Sequence, residues 1–309
     1  MKILVTGGAG FIGRNLVAKL KKQGHEVQVF DISTASSRNT FGKHDINAIS
    51  HRYADWLDYG MEEPFDIIYH LAAFVSAPLS LKQPDFCYTD NVEGLLKVIT
   101  HFKYKRFVFA SSAAVYGNGK GYDLIPKSSF SEISLSENHV EHIDNLLTPY
   151  AKSKLIGESL VKDIVPSYCN LRFFNVYGNM QNPHYGAVIQ KFGENWVEQK
   201  PYTIYGDGEQ VRDFVYVDDV VDALIFSGMH SDNFTANVGT GQGTTVNELC
   251  KLFGGQLENV DYKEEREGDP SYSVADVSVL EDLGWKAEYD IKSGIKKLKS
   301  LLIHNRQFK

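Results

Sequence analysis

The feature that most constrains the fold lies at the start of the chain, where a glycine-rich turn separates a strand pattern from a helical pattern. Residues 2–6 are a short apolar run, and the turn at residues 7–13 follows directly. Residues 14–23 carry apolar side chains at helical spacing, and residues 26–30 form a second apolar run that ends at Asp31. The order strand, turn, helix, strand is typical of a βαβ unit and predicts a parallel sheet.

The same alternation continues through the first half of the chain. Further candidate strands lie at residues 67–69, 107–109 and 170–173, and candidate helices lie at 91–102 and 150–164. Residues 118–147 are polar and without a clear period, which favours a long loop. Beyond residue 175 the alternation breaks down, and residues 214–226 favour a strand and a helix that return to the first domain. We therefore predict a doubly wound α/β domain and a smaller second region.

Composition places the chain among ordinary soluble proteins. Hydrophobic residues make up 43% and charged residues 23%, as in typical globular domains. A net charge of −7 argues against a non-specific nucleic-acid binder. Cys87, Cys169 and Cys250 are far apart and odd in number, which indicates neither a disulfide framework nor a metal site. Without a signal pattern or a membrane-length apolar run, we expect a cytoplasmic protein.

The glycine turn predicts a dinucleotide site. Gly7 permits the tight turn, Gly10 lets the backbone approach a pyrophosphate, and Gly13 allows close packing of helix on sheet. The N-terminus of the following helix presents N–H groups and a partial positive charge to the phosphates. Asp31, at the end of the next strand, can accept hydrogen bonds from the adenosine ribose. A carboxylate there repels a 2′-phosphate, so the sequence favours NAD over NADP.

Tyr150 and Lys154 are the strongest candidates for chemistry. Their spacing of four residues places a phenol and an ammonium on one face of the predicted helix. A free tyrosine has a pKa of about 10, and a neighbouring cation favours the phenolate. Such a pair can remove a proton from an alcohol. The spacing alone occurs by chance in many chains, so its meaning depends on the other motifs.

The chain resembles the extended short-chain dehydrogenase/reductase family, in its nucleotide-sugar epimerase branch. The motifs that carry the resemblance occur in the family's order across nearly the whole chain. They are Thr6-Gly7-Gly8-Ala9-Gly10-Phe11-Ile12-Gly13, His70-Leu71-Ala72-Ala73, Ser111-Ser112-Ala113-Ala114-Val115-Tyr116-Gly117, Tyr150-Ala151-Lys152-Ser153-Lys154, Arg172-Phe173-Phe174-Asn175-Val176-Tyr177-Gly178, Tyr205-Gly206-Asp207-Gly208, Arg212-Asp213-Phe214-Val215 and Arg266-Glu267-Gly268-Asp269.

The resemblance implies a Rossmann domain with a doubly wound parallel sheet and a smaller C-terminal α/β substrate domain. We expect the NAD-binding domain at residues 1–174 and about 213–240, and the sugar-nucleotide domain at about 175–212 and 241–309. The catalytic residues it implies are Ser112, Tyr150 and Lys154. The NAD contacts it implies are Gly7, Gly10, Phe11, Ile12, Gly13, Asp31, Asp55, Leu71, Ala72, Ala73, Ser111, Tyr150 and Lys154.

The resemblance also implies roles for these groups. Ser112 would hydrogen-bond the sugar O4 and organise proton transfer with Tyr150. Lys154 would hold the nicotinamide ribose and keep Tyr150 acidic. The related 4,6-dehydratases place an Asp-Glu pair where this chain has Ala113 and Ala114, which cannot transfer protons. Elimination of water and decarboxylation of UDP-glucuronate are therefore disfavoured. The reaction that remains is oxidation and reduction at C4 of a UDP-sugar, through a 4-keto intermediate.

The implied substrate contacts lie mostly in the second half. Arg212 and Arg266 would clamp the diphosphate, because guanidinium groups match phosphate oxygens. The other implied contacts are Ser112, Asn175, Tyr205, Asp269 and Ser273, with Asp269 contacting the nucleoside ribose or orienting Arg266. Ser273 stands where the family uses a bulky residue to restrict the pocket to hexoses, so we expect room for N-acetylhexosamines.

The resemblance implies a UDP-glucose 4-epimerase of carbohydrate and galactose metabolism, with no metal, nucleic-acid or membrane partner. The predicted helices at 91–102 and 150–164 correspond to a dimer interface in relatives, which implies a homodimer. A nucleotide-sugar reductase, another sugar-nucleotide epimerase that releases its cofactor, and a non-catalytic NAD-sensing regulatory protein are the alternatives. Regulatory proteins on this fold typically lose the tyrosine or the lysine, whereas this chain keeps both.

Overall fold

The computed structural model describes residues 1–31, 48–50, 63–117, 135–137, 143–146, 148–179, 188–265 and 269–307. The strands among them are β1 (Lys2–Thr6), β2 (Glu26–Asp31), β3 (Ala48–Ser50), β4 (Phe65–His70), β5 (Tyr104–Ser112), β6 (Tyr168–Phe173), β7 (Asn175–Tyr177), β8 (Thr203–Tyr205), β9 (Val211–Tyr216), β10 (Phe234–Val238), β11 (Gly243–Thr245), β12 (Asp261–Lys263) and β13 (Tyr272–Ser273). The helices are α1 (Phe11–Lys22), α2 (Ala77–Lys82), α3 (Pro84–Tyr88), α4 (Gly94–His101), α5 (Pro149–Ile164), α6 (Val188–Glu198), α7 (Val217–Met229), α8 (Val246–Leu252), α9 (Ser278–Leu283) and α10 (Ile291–Gln307).

The chain divides into two compact units. The first comprises Met1–Val115, Thr148–Arg172 and Val221–Ala236, and the second comprises Tyr116–Leu147, Phe173–Val220 and Asn237–Lys309. Residues 213–220, which the sequence analysis assigns to the cofactor domain, lie in the second unit.

A seven-stranded sheet in the order β10-β6-β5-β4-β1-β2-β3 forms the centre of the first unit. The pairs β1 with β2, β1 with β4, β2 with β3 and β4 with β5 are parallel. Four of the five residues of β1 are buried, as expected for a parallel strand covered on both faces. The strand order reverses beside β1, and ligands of such sheets bind at this point, outside the carboxyl ends of the strands. The predicted doubly wound parallel sheet is confirmed.

Helix α5 packs closely on β5. A Cβ on Gly157 would lie 2.6 Å from Cζ of Phe109, so only glycine allows this approach without a shift of the ring. Phe107, Phe109 and Val161 belong to the apolar core cluster that covers this face of the sheet. The close approach brings the side chains of α5 against the carboxyl end of β5.

The helical segment before β5 differs from its prediction. A helix was expected at residues 91–102, whereas helical structure begins at α3 and passes through a π-helical turn, Thr89–Glu93, into α4. The side chain of Asn91, within that turn, hydrogen-bonds both the backbone N–H and the carbonyl of Phe74, at 2.7 and 3.1 Å. A π turn inserts one extra residue into the helix, and apolar periodicity does not reveal such an insertion. The predicted helix at 150–164 is confirmed as α5.

The second unit contains short strands arranged around β9. β9 lies between β11 and β13 and also pairs with β7, while β8 pairs separately with β12. Asp213 of β9 is fully buried, and its carboxylate accepts hydrogen bonds from Thr240, Gly241 and Ala275. Most of the predicted loop at 118–147 lies outside the described residues. No helix in the described part of the chain is long and apolar enough to cross a bilayer.

Candidate active site

The turn between β1 and α1 requires glycines at Gly7 and Gly13, because the backbone around them leaves no room for a Cβ. A Cβ on Gly13 would lie 2.2 Å from the carbonyl oxygen of Gly7, and a Cβ on Gly7 would lie 2.6 Å from the amide nitrogen of Ala72. Gly7 has φ of +70°, a conformation that favours glycine. Asp31 accepts a hydrogen bond from the N–H of Ala9 at 2.9 Å, so its carboxylate lies against the turn.

The N-terminus of α1 opens toward the same turn. Gly10 is the N-cap residue, no side chain caps the helix, and its first turn carries no acidic residue. Phe11 and Ile12 begin the helix and are half-buried. The uncapped N–H groups and the helix dipole suit a phosphate. The turn, the helix N-terminus and the Asp31 carboxylate therefore fit the pyrophosphate and ribose of a dinucleotide.

The chain that follows β4 runs beside this turn. The N–H of Leu71 donates to the carbonyl of Thr6 at 3.1 Å, and the N–H of Ala72 donates to the Thr6 hydroxyl at 3.3 Å. That hydroxyl lies 2.8 Å from Nδ1 of His70. Burial, with the charge of Lys154 as a second cause, lowers the pKa of His70 to about 3, so its ring is neutral. Residues 71–73, predicted to contact NAD, are half-buried and follow β4 beside Gly7.

The Ser112 hydroxyl lies beside the Tyr150 phenol, close enough to act on its pKa. Ser112 ends β5, and Tyr150 lies in the first turn of α5. Both side chains are half-buried. Burial raises the pKa of Tyr150, and the Ser112 hydroxyl opposes that rise. The Ser112 hydroxyl also accepts the N–H of Ala114 at 3.2 Å, so this serine caps the next turn and contacts the phenol at once.

Lys154 lies behind this pair. Its side chain is buried, and Nζ donates to the carbonyl of Ala110 at 2.7 Å. Nζ lies 6.0 Å from the ring centroid of Tyr150. Burial lowers the pKa of Lys154 to about 8, against the opposing effects of Cys87 and Glu158. The sequence analysis expected Lys154 to keep Tyr150 acidic. In this structure burial raises the pKa of Tyr150, so the neutral phenol is the favoured form.

The start of α5 is fixed by side chains around it. Thr148 is the N-cap and accepts the N–H of Ala151 at 3.2 Å, and Pro149 occupies the first turn without an N–H to satisfy. The N–H of Tyr150 donates to the hydroxyl of Ser80 at 3.1 Å. Ser80 lies on α2, which the sequence analysis did not predict. These bonds satisfy the free donors of the helix and hold the backbone of Tyr150 in place.

Sequence reasoning missed several polar residues that support the site. Ser153 donates to the carbonyl of Tyr150 at 2.8 Å and accepts from Asn91 at 2.9 Å. Glu158 accepts a hydrogen bond from Ser111 at 2.5 Å. Glu158 stands four residues after Lys154, and this spacing is a signal that could have drawn attention to it. Ser111, predicted to contact NAD, is buried with its hydroxyl directed to Glu158.

The predicted sugar-nucleotide residues of the second unit cluster around β9. Arg212 is 9% exposed and forms an ion pair with Asp269 at 3.5 Å. Burial lowers the pKa of Arg212, and Asp269 opposes this shift. Asn175 donates to the carbonyl of Asp213 at 3.2 Å. Ser273, on β13, is the direct neighbour of Arg212 in the sheet.

Three further predicted residues lie elsewhere or outside the described part of the chain. Tyr205 ends β8 and is 38% exposed. Asp55 and Arg266 lie outside the described residues, so the two-arginine clamp stays a prediction. Asp269 pairs with Arg212, whereas the sequence analysis considered it as a partner of Arg266.

Comparison with known proteins identifies the family. Residues 3–239 match the NAD dependent epimerase/dehydratase family. The chain belongs to this family. A putative UDP-glucose 4-epimerase of Methanocaldococcus jannaschii is 33% identical over 323 aligned positions, which cover 99% of each chain. The predicted NAD-dependent isomerase of the extended short-chain dehydrogenase/reductase family is thereby confirmed.

Two solved structures of family members are similar over almost the whole chain. The UDP-glucose 4-epimerase of Thermotoga maritima, solved with UDP-glucose, has a TM-score of 0.85 and 30% identity, with 100% of each chain covered. The UDP-N-acetylglucosamine 4-epimerase of Methanobrevibacter ruminantium, solved with UDP-N-acetylmuramic acid, has a TM-score of 0.83 and 30% identity, with 98% of each chain covered.

Proposed function

We propose that the protein is an NAD-dependent 4-epimerase of UDP-sugars that interconverts UDP-glucose and UDP-galactose through a 4-keto intermediate. The observation that carries the proposal is the adjacent pair of Ser112 and Tyr150, both half-buried, with the buried Lys154 ammonium 6.0 Å from the tyrosine ring. The glycine turn lies in the same unit, and the similar proteins named above are UDP-sugar 4-epimerases. NAD is held, in this proposal, by the turn, the N-terminus of α1, Asp31, Asp55 and residues 71–73.

Tyr150, Ser112 and Lys154 each have a separate role in the proposed proton transfer. NAD, when bound, supplies a reversible acceptor for the hydride of the sugar C4. Tyr150 takes the proton of the C4 hydroxyl as that carbon is oxidised, and returns a proton to the same oxygen when it is reduced. Ser112 donates to the phenol and orients it toward the sugar oxygen. The cationic Lys154 favours the phenolate form of Tyr150 while it is needed as the base.

The residues after Ser112 favour epimerisation over elimination. Ala113 and Ala114 form the 3₁₀ turn Ala113–Tyr116, and their methyl groups can neither give nor take a proton. These two positions therefore supply no acid–base pair for the removal of water from C5 and C6. In this proposal the ketone formed at C4 is reduced again, and return of hydride to the other face inverts the carbon.

An assay without added cofactor tests the proposal. Purified protein is incubated with UDP-galactose, and UDP-glucose is resolved by chromatography. We expect turnover without added NAD, because an epimerase regenerates its cofactor in each cycle. A nucleotide-sugar reductase, or an epimerase that releases its cofactor, would require added NAD(H). Tyr150→Phe should fold and bind NAD while losing most turnover, and full activity of this variant would remove Tyr150 from the catalytic role.

The second unit is proposed to hold the sugar nucleotide. Arg212, oriented by Asp269, would bind the diphosphate together with Arg266, while Asn175 and Tyr205 would contact the sugar and the base. Ser273 adjoins Arg212 and has a small side chain, which leaves room for an N-acetyl group. Ser273→Tyr is therefore expected to lower the rate on UDP-N-acetylglucosamine more than the rate on UDP-glucose. Equal rates on the acetylated sugar before and after the change would contradict this assignment.

A homodimer is the proposed assembly. Phe86, Leu96 and Ile164, on α3, α4 and α5, expose between 38% and 66% of their surface, as an uncovered apolar interface would. Light scattering after size-exclusion chromatography should give twice the mass of 34.7 kDa. A monomer at micromolar concentration would contradict it. A cytoplasmic location stays a prediction.

A further inference from the structure

We propose that Glu158 is a positioning residue of the active site, which fixes the carboxyl end of β5 beneath Ser112 and maintains the positive charge of Lys154. The proposal rests on the proposed function for the roles of Ser112 and Lys154. Glu158 belongs to α5, one helical turn after Lys154, and only 6% of its surface is exposed.

Three residues of α5, each one turn apart, contact the last three residues of β5. The contacting pairs are Tyr150 with Ser112, Lys154 with Ala110, and Glu158 with Ser111. The first pair contains the proposed proton-transfer group, and the second contains the ammonium. Glu158 and Ser111 contact no reacting group. They join α5 to the part of β5 whose movement would displace the other two pairs.

The orientation of the Glu158 carboxylate is fixed by Arg172. Nε of Arg172 donates to one carboxylate oxygen at 2.9 Å, and Nη2 donates to the other at 2.7 Å. Such a two-point contact is geometrically specific. Arg172 lies on β6, the neighbour of β5 in the sheet, and is 4% exposed. The carboxylate therefore links α5, β5 and β6 at one buried point.

Glu158 also acts on the charge of Lys154. The titratable groups of the described residues that lie near or interact with this ammonium come from three elements: Cys87 on α3, His70 on β4, and Tyr150 and Glu158 on α5. Burial raises the pKa of Tyr150, which keeps the phenol neutral. His70 is neutral, and burial raises the pKa of the Cys87 thiol, which also keeps it neutral. Glu158 is thus the formal anion among them. Its removal would also leave Arg172 without the carboxylate it contacts, which further disfavours a second cation nearby.

The test compares Glu158→Gln with Glu158→Asp and with Asp163→Asn, a matched control on the exposed side of α5. NAD⁺ binding to cofactor-stripped protein is measured by calorimetry from about pH 6.5 to 9.5, and kcat with UDP-galactose is measured over the same range. The wild type should lose NAD affinity as pH rises through about 8, where Lys154 loses its proton.

In Glu158→Gln this loss should occur at lower pH, with kcat reduced about 10²-fold, as expected for a displacement near 1 Å. Glu158→Asp should keep the wild-type pH midpoint and recover part of kcat, and Asp163→Asn should match the wild type in both. A Glu158→Gln protein with the wild-type pH midpoint and kcat within about twofold would overturn the proposal.

Two further outcomes are informative. If Glu158→Gln does not fold, Ser111→Ala tests whether Glu158 fixes β5, because this variant removes one hydroxyl and leaves the ion pair of Glu158 with Arg172 intact. It should lower kcat without moving the pH midpoint, and an unchanged kcat would overturn the role in fixing β5. A wild type that binds NAD but leaves UDP-galactose unchanged would refute the proposed function, while the pH midpoints of NAD binding would still decide the effect of Glu158 on Lys154.

Discussion

Replacement of Gly13 by alanine should weaken NAD binding more than it destabilises the fold. The new Cβ would lie 2.2 Å from the Gly7 carbonyl oxygen, 2.7 Å from Cα of Gly8 and 3.0 Å from the carbonyl carbon of Gly7. All three atoms are backbone, so no side chain can move aside. Ordinary contact begins near 3.4 Å, and the turn must therefore retreat from α1 by about 1.2 Å.

The two contributions to stability partly cancel. Overpacking of this kind costs about 1–3 kcal/mol, whereas alanine inside a helix gains about 1 kcal/mol over glycine. The net loss is about 0–2 kcal/mol, which lowers Tm by less than about 8 °C at 2–4 °C per kcal/mol. Binding has no such compensation. If NAD requires the original turn, the cost of about 1–3 kcal/mol raises its Kd about 5- to 150-fold.

Gly24→Ala provides the matched control. Gly24 follows α1 with φ of +82°, and a Cβ there would meet no atom within 4 Å. Alanine in this conformation costs about 1–2 kcal/mol, so Tm should fall by a similar amount while the Kd for NAD stays at the wild-type value. Calorimetric titration and thermal unfolding of both variants measure the two effects. A Gly13→Ala protein with wild-type NAD affinity would refute the assignment of this turn as the pyrophosphate site.

Three further predictions address the charged groups. Arg172→Met leaves the Glu158 carboxylate buried and unpaired, so the free energy of unfolding in urea should fall by about 3–5 kcal/mol; a loss below about 1 kcal/mol would show that the carboxylate is hydrated or protonated instead. The pKa of Lys154 is lowered to about 8, so the ammonium is present below that pH and lost above it, and kcat/KM for UDP-galactose should decline above about pH 8; a profile flat to pH 10 would contradict it. Arg212→Lys would remove the proposed two-point contact with phosphate and should raise KM about tenfold with little change in kcat, whereas a fall in kcat alone would contradict a role of Arg212 in binding the diphosphate.

The first unit was predictable because its elements follow simple periodicities. Continuous apolar runs and the glycine turn predicted β1, α1 and β2, and the spacing of Tyr150 and Lys154 predicted one face of α5. Backbone insertions leave no such trace. The π turn at Thr89–Glu93 preserves the apolar pattern of its helix, and α2 is a six-residue helix too short to show a period. Ser80 and Asn91 were missed for this reason.

The second unit was less predictable, since its strands are short and its connections depend on one buried carboxylate. Asp213 binds the backbone N–H groups of Thr240, Gly241 and Ala275, which are distant in sequence. A Cβ on Gly239 would lie 2.6 Å from the same carboxylate. A single aspartate in an apolar strand does not indicate which distant amides it will bind. The pairing of Arg212 with Asp269 joins residues of two separate motifs and could not be read from either motif.

The value of the Tyr-x-x-x-Lys spacing follows from a match between helix and strand. Four residues of an α-helix advance about 6.0 Å, and two residues of a strand advance about 6.6 Å. Tyr150 and Lys154 contact Ser112 and Ala110, which are two residues apart and run in the opposite direction, as they must when the helix is antiparallel to the strand. A shift of one residue along β5 would move Ser112 by about 3.3 Å along the strand and break its contact with Tyr150. The motif therefore identifies a proton-transfer site only where a serine ends the strand beneath the helix, and this condition, rather than the spacing itself, separates Tyr150 and Lys154 from a chance pair.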